Sequence, residues 1–268
     1  MKNERIINLN STENLRELGG YQTTDGRTIK WHKLLRSGSL GMLNATDLAF
    51  LKSYGVRYDI DLRSGQERTD VPDALADDHI EYVFNPVFDE DRTDNSQDPE
   101  EFRQMLEENP TYGHDHMVAV YKRMVQNDGC HQAYHRFFQT LLNNGQEDGA
   151  ILFHCTAGKD RTGMAAVFLL YALGVDLDTI KQDYILTNQV VKPLVDQKMD
   201  EARNRDFSET AINSLRALYT VNMDFLDAAL TTINDQYGNL DHFLTDEIGM
   251  DSAKREQLRA LYLEPQPN

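Results

Sequence analysis

The sequence predicts an α/β fold: a central, mostly parallel sheet flanked by helices, with a helical insertion and a helical C-terminal part. Three observations carry this expectation. Strand-like and helix-like periodicities alternate over the first two thirds of the chain. The apolar run Ala150-Ile151-Leu152-Phe153-His154 reads as a strand buried on both faces, as a central parallel strand must be. From Arg161 onward every periodic segment is helical. With 268 residues the chain suits one large domain or two small ones, and its core needs no disulfides to stand. The expectation is one domain over 1–268, with residues from about 89 to 145 as a helical insertion or lid.

In chain order, residues 14–40 read as loops and short strands, punctuated by Gly19, Gly20, Gly26, Gly38 and, just beyond, Gly41. Asn44 caps a helix that runs to about Tyr54, with Asp47 in its first turn and Gly55 as its stop. Val56–Leu62 alternates and is rich in β-formers, which predicts a strand. A second short strand falls within 80–88, ending near Pro86. The stretch from Asp89 to Asp98 is acidic and aperiodic, hence a loop. Asp98-Pro99-Glu100-Glu101 is a strong helix start, and helices are expected at 99–108, 114–127 and 130–143, the last closed by Asn143-Asn144-Gly145. After the 150–154 strand, small and apolar residues from Arg161 to Leu173 predict a buried helix ended by Gly174. Further helices are expected at about 177–190, 192–203, 208–236, 239–247 and 251–262. In the 208–236 segment Leu218, Tyr219, Met223, Phe225 and Leu226 recur at helical spacing, as core packing requires.

Composition narrows the function classes. The formal net charge is −17, from 27 basic and 44 acidic residues. That excess argues against nucleic acid, whose binding begins with neutralised phosphates, and against anionic membranes. One local cationic pocket can still hold a phosphorylated substrate. The two cysteines, Cys130 and Cys155, form no disulfide framework and suit a reducing compartment. The opening MKNERIINLNST lacks an apolar signal-peptide core, and no apolar run approaches 18 residues, so neither a signal peptide nor a transmembrane segment is expected. The expected location is cytoplasmic, with export by another route left open.

The chemistry concentrates where the buried strand meets the buried helix. Between them lies His154-Cys155-Thr156-Ala157-Gly158-Lys159-Asp160-Arg161-Thr162-Gly163. Backbone N–H groups of such a loop, with those of the helix's first turn, form an anion-binding nest. Gly158 lets the loop close tightly around an oxyanion. The helix N-terminus favours a thiolate, so Cys155 is the expected nucleophile, in place of a merely buried structural thiol. Arg161, six residues on, presents a planar fork that suits two phosphoryl oxygens. Lys159 adds a second cation, and the Thr162 hydroxyl is placed to hydrogen-bond the sulfur. Thr156, Ala157, Gly158, Lys159 and Thr162 are therefore the expected phosphate-binding residues.

Cys-x5-Arg-Thr resembles the signature of the protein tyrosine phosphatase superfamily. The fuller HCTAGKDRTG is similar to the loop of its atypical bacterial and fungal branch, whose members act on phosphotyrosine and often on phosphoinositides. Asn14-Leu15-Arg16-Glu17-Leu18-Gly19-Gly20-Tyr21 resembles that branch's N-terminal motif. Leu35-Arg36-Ser37-Gly38 and Asp59-Ile60-Asp61-Leu62-Arg63-Ser64 resemble two further segments, and Tyr237-Gly238 to Leu258-Arg259 resembles its C-terminal helices. The likeness thus spans nearly the whole chain. It implies a phosphocysteine intermediate that is then hydrolysed.

Many superfamily members carry their general acid in a separate Trp-Pro-Asp loop. Here the one tryptophan, Trp31, is followed by His32 and Lys33. The resemblance instead implies that Asp160, inside the loop, donates and later accepts the proton, with Asp61 and Asp89 as rival acids. It also associates Lys159 with multiply phosphorylated inositol head groups. His154 is expected to shape the loop or favour the thiolate. Arg36 and Arg63 are placed near the pocket, where Arg63 could meet substrate or an acid of the loop, and Asn14 and Arg16 beneath it as structural residues. Cys130 reads as structural. His114/His116 and His131/His135 are the closest histidine pairs, and the chemistry calls for no metal or cofactor. Protein tyrosine phosphatase activity ranks first. Phosphoinositide phosphatase activity is the alternative, followed by a non-catalytic phosphate-binding adaptor. A rhodanese-like sulfur carrier and an arsenate reductase would share a cysteine loop but not the Gly-Lys-Asp-Arg run.

Overall fold

The computed structural model describes residues 2–75, 79–89, 99–144 and 149–266. Strand order in its five-stranded sheet is β1(Arg16–Glu17), β2(Leu34–Ser37), β5(Ala150–His154), β3(Val56–Asp61), β4(Glu81–Phe84). Only the short β1 runs antiparallel to its neighbour; β2, β5, β3 and β4 are parallel. The register sets His154 opposite Ser37 on one side and Asp61 on the other. Three strands therefore end together at their carboxyl edge, where open α/β sheets place their ligands.

Strand β5 is buried along its whole length because both faces are covered. Ile151 and Phe153 join a large apolar cluster with the helices of one side, whereas Ala150 and Leu152 join a smaller one with Leu51 and Tyr54. That smaller cluster packs under α1(Ala45–Tyr54), which Asn44 caps and Gly55 ends as the sequence predicts. Next in order, α2(Gly65–Asp70) is a helix that sequence periodicity missed; a capping box between Ser64 and Glu67 starts it.

The expected insertion contains α3(Pro99–Glu108), α4(Tyr112–Gln126) and α5(Asp128–Asn143). Most of the polar stretch before it, including the Asp98 cap, and the Gly145 stop after it lie outside the described residues. Met117, Tyr121, Met124, Phe137 and Phe138 enter the large apolar cluster together with α6(Arg161–Leu173). The helices α7(Leu177–Val190) and α8(Lys192–Arg203) follow.

The single helix expected at 208–236 is two, α9(Glu209–Tyr219) and α10(Met223–Tyr237). Between them Asn188 of α7 grips Val221 from both sides, its amide donating to the carbonyl (2.8 Å) and its carbonyl accepting from the N–H (2.8 Å). Asn222 then caps α10. The apolar spacing runs through this break unchanged, which is why periodicity alone joins the two helices. The expected 239–247 helix is one turn, α11(Leu240–His242), continued by a π-type turn over Phe243–Glu247. The chain closes with α12(Ser252–Tyr262). Among the described residues no helix is long and apolar enough to cross a membrane.

Candidate active site

Between β5 and α6 the loop is held by its carbonyls. Thr156 C=O accepts from Ser39 N–H at 2.9 Å. The Asn14 side-chain amide donates to Ala157 C=O (3.2 Å) and to Gly158 C=O (2.8 Å), and Arg36 Nη2 donates to Gly158 C=O as well (2.9 Å). By contrast, the N–H groups of Thr156–Asp160 meet no protein acceptor among the described residues. A loop bound by its carbonyls and unspent at its amides is an anion nest. Gly158 is required twice over: its φ is 65°, and a Cβ there would lie 2.3 Å from the Ser37 carbonyl oxygen.

Beneath the loop, Arg16 donates to the Asn14 side-chain oxygen Oδ1 and to Thr187 Oγ1 (3.2 Å), while Arg36 pairs with Asp183 at 2.9 Å. All of these side chains are buried. Burial would push Asp183 up, but Arg16 and Arg36 hold it below the usual carboxylate range. Asn14 and Arg16 thus stand where the sequence placed them. Arg36 belongs with them, gripping the loop from behind.

Above the loop opens a cavity of about 400 Å³. Cys155, Thr156, Ala157, Lys159, Asp160 and Arg161 line it on one side. Its walls are apolar, from Phe102 of α3, Leu194 of α8 and Leu215, Leu218 and Tyr219 of α9, with Val191 and the acidic Glu13 completing them. Cys155 is 2% exposed.

Both cations in the cavity are matched to acids. The Arg161 fork meets Glu67 of α2 in a bidentate pair, Nη1–Oε2 at 2.6 Å and Nη2–Oε1 at 2.8 Å. Thr156 Oγ1 donates to the same carboxylate, and Ser64 N–H donates to it at 2.8 Å. Burial would raise Glu67; the Arg161 pair and these hydrogen bonds outweigh it and bring Glu67 down to about 2. Lys159 Nζ lies 2.6 Å from Asp160 Oδ2, and Tyr121 of α4 donates to Asp160 Oδ1 at 3.0 Å.

Three expectations for this region change. Arg63 does not line the cavity: it is buried behind the loop, 2.8 Å from Asp61 and 2.9 Å from Asp73, and also bonds Val71 C=O. The Thr162 hydroxyl is buried and has no hydrogen-bond partner among the described residues, the Cys155 sulfur included. Of the rival acids, Asp61 is occupied by Arg63 and by the Tyr82 hydroxyl (2.8 Å). Asp89 lines a different, polar cavity with Arg123 and Arg136.

His154 stands behind the nucleophile, close to three carboxylates. Its Nδ1 lies 3.2 Å from the Cys155 carbonyl oxygen, and its Nε2 lies 3.2 Å from Asp59 and 3.1 Å from Asp73. Nδ1 thus contacts that carbonyl, while Nε2 lies within ion-pair distance of the two carboxylates without an aligned hydrogen bond to either. Burial would lower the proton affinity of His154, but Asp59 foremost, then Asp73 and Asp61, raise it well above the usual range. Asp59, fully buried, is itself pushed up. Asp59, Asp73 and His154 are, among the described residues, the one trio able to offer three metal-ligand atoms within 4.8 Å of one another. The Arg63 guanidinium, at 2.9 Å from Asp73, already sets a cation against them. Cys130 donates its thiol to Val87 C=O at 3.1 Å, and burial pushes that thiol up to about 12, as befits a packing residue.

Sequence reasoning missed Glu67 and Tyr121. The Ser64-x-x-Glu67 spacing carries a capping-box signal that could have found the helix, though not the Arg161 pair. Nothing local marks Tyr121.

Fold and loop together are those of a cysteine-dependent phosphatase. Residues 7–264 match the model of the tyrosine phosphatase family, and the chain belongs to that family. It is 30% identical over 260 residues to a Cupriavidus necator protein named as a tyrosine-protein phosphatase, covering 93% of this chain and 85% of that one. It is 28% identical to the triple specificity protein phosphatase PtpB of Mycobacterium tuberculosis, over 86% of this chain and 91% of the relative. A tyrosine-protein phosphatase of Nostoc commune is also 28% identical, over 84% and 72% of the respective chains.

Proposed function

We propose that the protein hydrolyses phosphotyrosine in proteins or peptides, with Cys155 as nucleophile, Arg161 and the loop amides as the phosphoryl cradle, and Asp160 as acid and base. The observation that carries this reading is the cavity itself: a cysteine and an amide nest on one side, apolar walls on the others. With the sulfur so little exposed, the phosphorus must enter that cavity, and an aryl carrier matches its walls.

In the first step the Cys155 thiolate attacks phosphorus; the S–P bond forms as the bond from phosphorus to the tyrosine oxygen breaks, and Asp160 gives its proton to the departing phenolate. In the second, water attacks phosphorus and yields a proton to Asp160. The S–P bond breaks, releasing inorganic phosphate and the thiolate. Charge supports the proton's place. Arg161 and Lys159 face Glu67, Asp160 and a thiolate, so a dianionic substrate would make a strongly negative site. Protonation of Asp160 relieves it.

Phosphoinositides carry further phosphates, and among the described residues the cavity lining offers them no cation beyond Lys159 and Arg161. Glu13 and the apolar side chains would oppose them. The tyrosine-protein phosphatase names of two of the relatives support the same choice. The test is a hydrolysis panel of phosphotyrosine peptides and phosphoinositides, run beside Cys155→Ser. Faster turnover of the lipids would reverse the substrate order, and substantial turnover by Cys155→Ser would remove the nucleophile.

A further inference from the structure

Asp160 is connected to helices remote from the loop. Its Oδ1 accepts from the Tyr121 hydroxyl of α4 (3.0 Å); Tyr121 accepts from the Tyr184 hydroxyl of α7 (2.9 Å); and Tyr184 lies 3.3 Å from the Asn222 carbonyl oxygen at the start of α10. Asp160, Tyr121 and Tyr184 are all buried, and the two rings meet edge to face with centroids 6.1 Å apart. Lys159 takes the other carboxylate oxygen, Oδ2.

We propose that Tyr121, backed by Tyr184, is a positioning residue that fixes one oxygen of Asp160 and thereby aims the other at the leaving group. This inference rests on the acid role of Asp160 and deepens it. A carboxyl group rotates about a soft terminal torsion, so an acid held by a flexible lysine alone would sample many directions. A phenol has one proton and a rigid ring. Tyr184 donating to Tyr121 leaves the Tyr121 proton committed to Oδ1. When a phosphoryl group enters and draws Lys159 toward its oxygens, Oδ1 remains bound to Tyr121. Oδ2 is then the oxygen left to carry the transferable proton, and Asp160 lines the cavity where the substrate enters. The chain also tolerates reversal. Were Oδ1 to hold the proton, it would donate to Tyr121, Tyr121 to Tyr184, and Tyr184 to the Asn222 carbonyl, with no hydroxyl left unused. That second arrangement keeps a protonated Asp160 from stranding a buried group, a cost that would otherwise oppose protonation.

The test compares kcat/KM across aryl phosphates from p-nitrophenyl phosphate, whose leaving group needs little protonation, to phenyl phosphate, whose leaving group needs much. Tyr121→Phe removes one oxygen and keeps the ring. Expected is a loss of about 10-fold or more for phenyl phosphate, against less than about 3-fold for p-nitrophenyl phosphate, with vanadate inhibition unchanged. Tyr184→Phe should give the same pattern more weakly. Placed in an Asp160→Asn background, Tyr121→Phe should add no further leaving-group dependence. Equal losses across the series, or altered vanadate binding, would make Tyr121 a packing residue and overturn the proposal. If Asp160→Asn itself leaves the leaving-group dependence unchanged, the acid assignment falls first and takes this inference with it. If Asp160→Asn steepens it and Tyr121→Phe does not, only the positioning role fails.

Discussion

Replacing Glu67 by glutamine tests the least anticipated contact of the site. Glu67 falls from an ordinary value near 4.5 to about 2 because Arg161, Thr156 and Ser64 donate to its carboxylate against the cost of its burial. At roughly 1.4 kcal/mol for each tenfold change in proton affinity, that difference is worth about 3 kcal/mol of folding stability. Its side chain is 10% exposed and that of Arg161 2%, so solvent screening takes little of this away. The sign follows from the depressed value: the contribution is complete above about pH 4.5 and is lost as pH falls through about 2. Glu67→Gln should therefore lower the unfolding free energy at pH 7 by about 3 kcal/mol, or the melting temperature by about 6–12 °C for a chain of this size. The deficit should shrink as pH is lowered toward 3. Urea titrations of both proteins at pH 7, 5 and 3 measure it. A difference below about 0.5 kcal/mol at pH 7, or one independent of pH, would refute the reasoning that Glu67 is an ionised anchor for the Arg161 fork. Turnover should fall with stability, since an unanchored guanidinium no longer waits in place for the phosphoryl oxygens.

Arg161→Lys should lower kcat/KM for p-nitrophenyl phosphate by roughly 10²–10³-fold, because a point charge cannot replace a bidentate fork; a loss under 5-fold would deny Arg161 its role. Gly158→Ala should abolish vanadate binding as well as turnover, since the new Cβ meets the Ser37 carbonyl oxygen at 2.3 Å and the φ of 65° disfavours any side chain; isothermal titration with vanadate decides it. Asn14→Ala removes the hydrogen bonds to the Ala157 and Gly158 carbonyls and should cost roughly 10-fold in kcat while the chain stays folded by circular dichroism. Unaltered kinetics would show that the loop holds its shape without it.

Much of this was legible in the sequence because local rules act alone there. The Asn44 cap and Gly55 stop, the doubly buried run 150–154 and the glycine inside the phosphate loop each follow from the residues within a few positions. What was not legible depends on distant partners. The family resemblance places Arg63 near the pocket, at the end of a strand, yet Asp73, ten residues on, folds back and captures it. Spacing alone offers Thr162 as a partner for the sulfur, but its buried hydroxyl makes no hydrogen bond to it. The 208–236 segment kept its apolar period across a break imposed by Asn188, more than thirty residues earlier. Glu67 reaches Arg161 across 94 positions of sequence, and no periodicity reports that.

The charge arrangement explains how so acidic a protein can receive a phosphate dianion. The arginines around the loop are set against carboxylates: Arg161 with Glu67, Arg36 with Asp183, Arg63 with Asp61 and Asp73. Such pairing would defeat phosphate binding if the acid and the ligand competed for the same donors. A guanidinium has five N–H donors, however, and Glu67 takes two. Glu67 can therefore fix the plane of the Arg161 guanidinium at the cavity that Arg161 lines. Lys159 stands in the opposite relation to Asp160. An ammonium is a compact charge on a flexible stem, so it can leave the carboxylate for the ligand and release Asp160 for its proton. The two cations of the cavity are thus built for different tasks, one anchored and one exchangeable. In the proposed mechanism the arginine's acid stays ionised throughout, whereas the lysine's acid changes its protonation state once in each step.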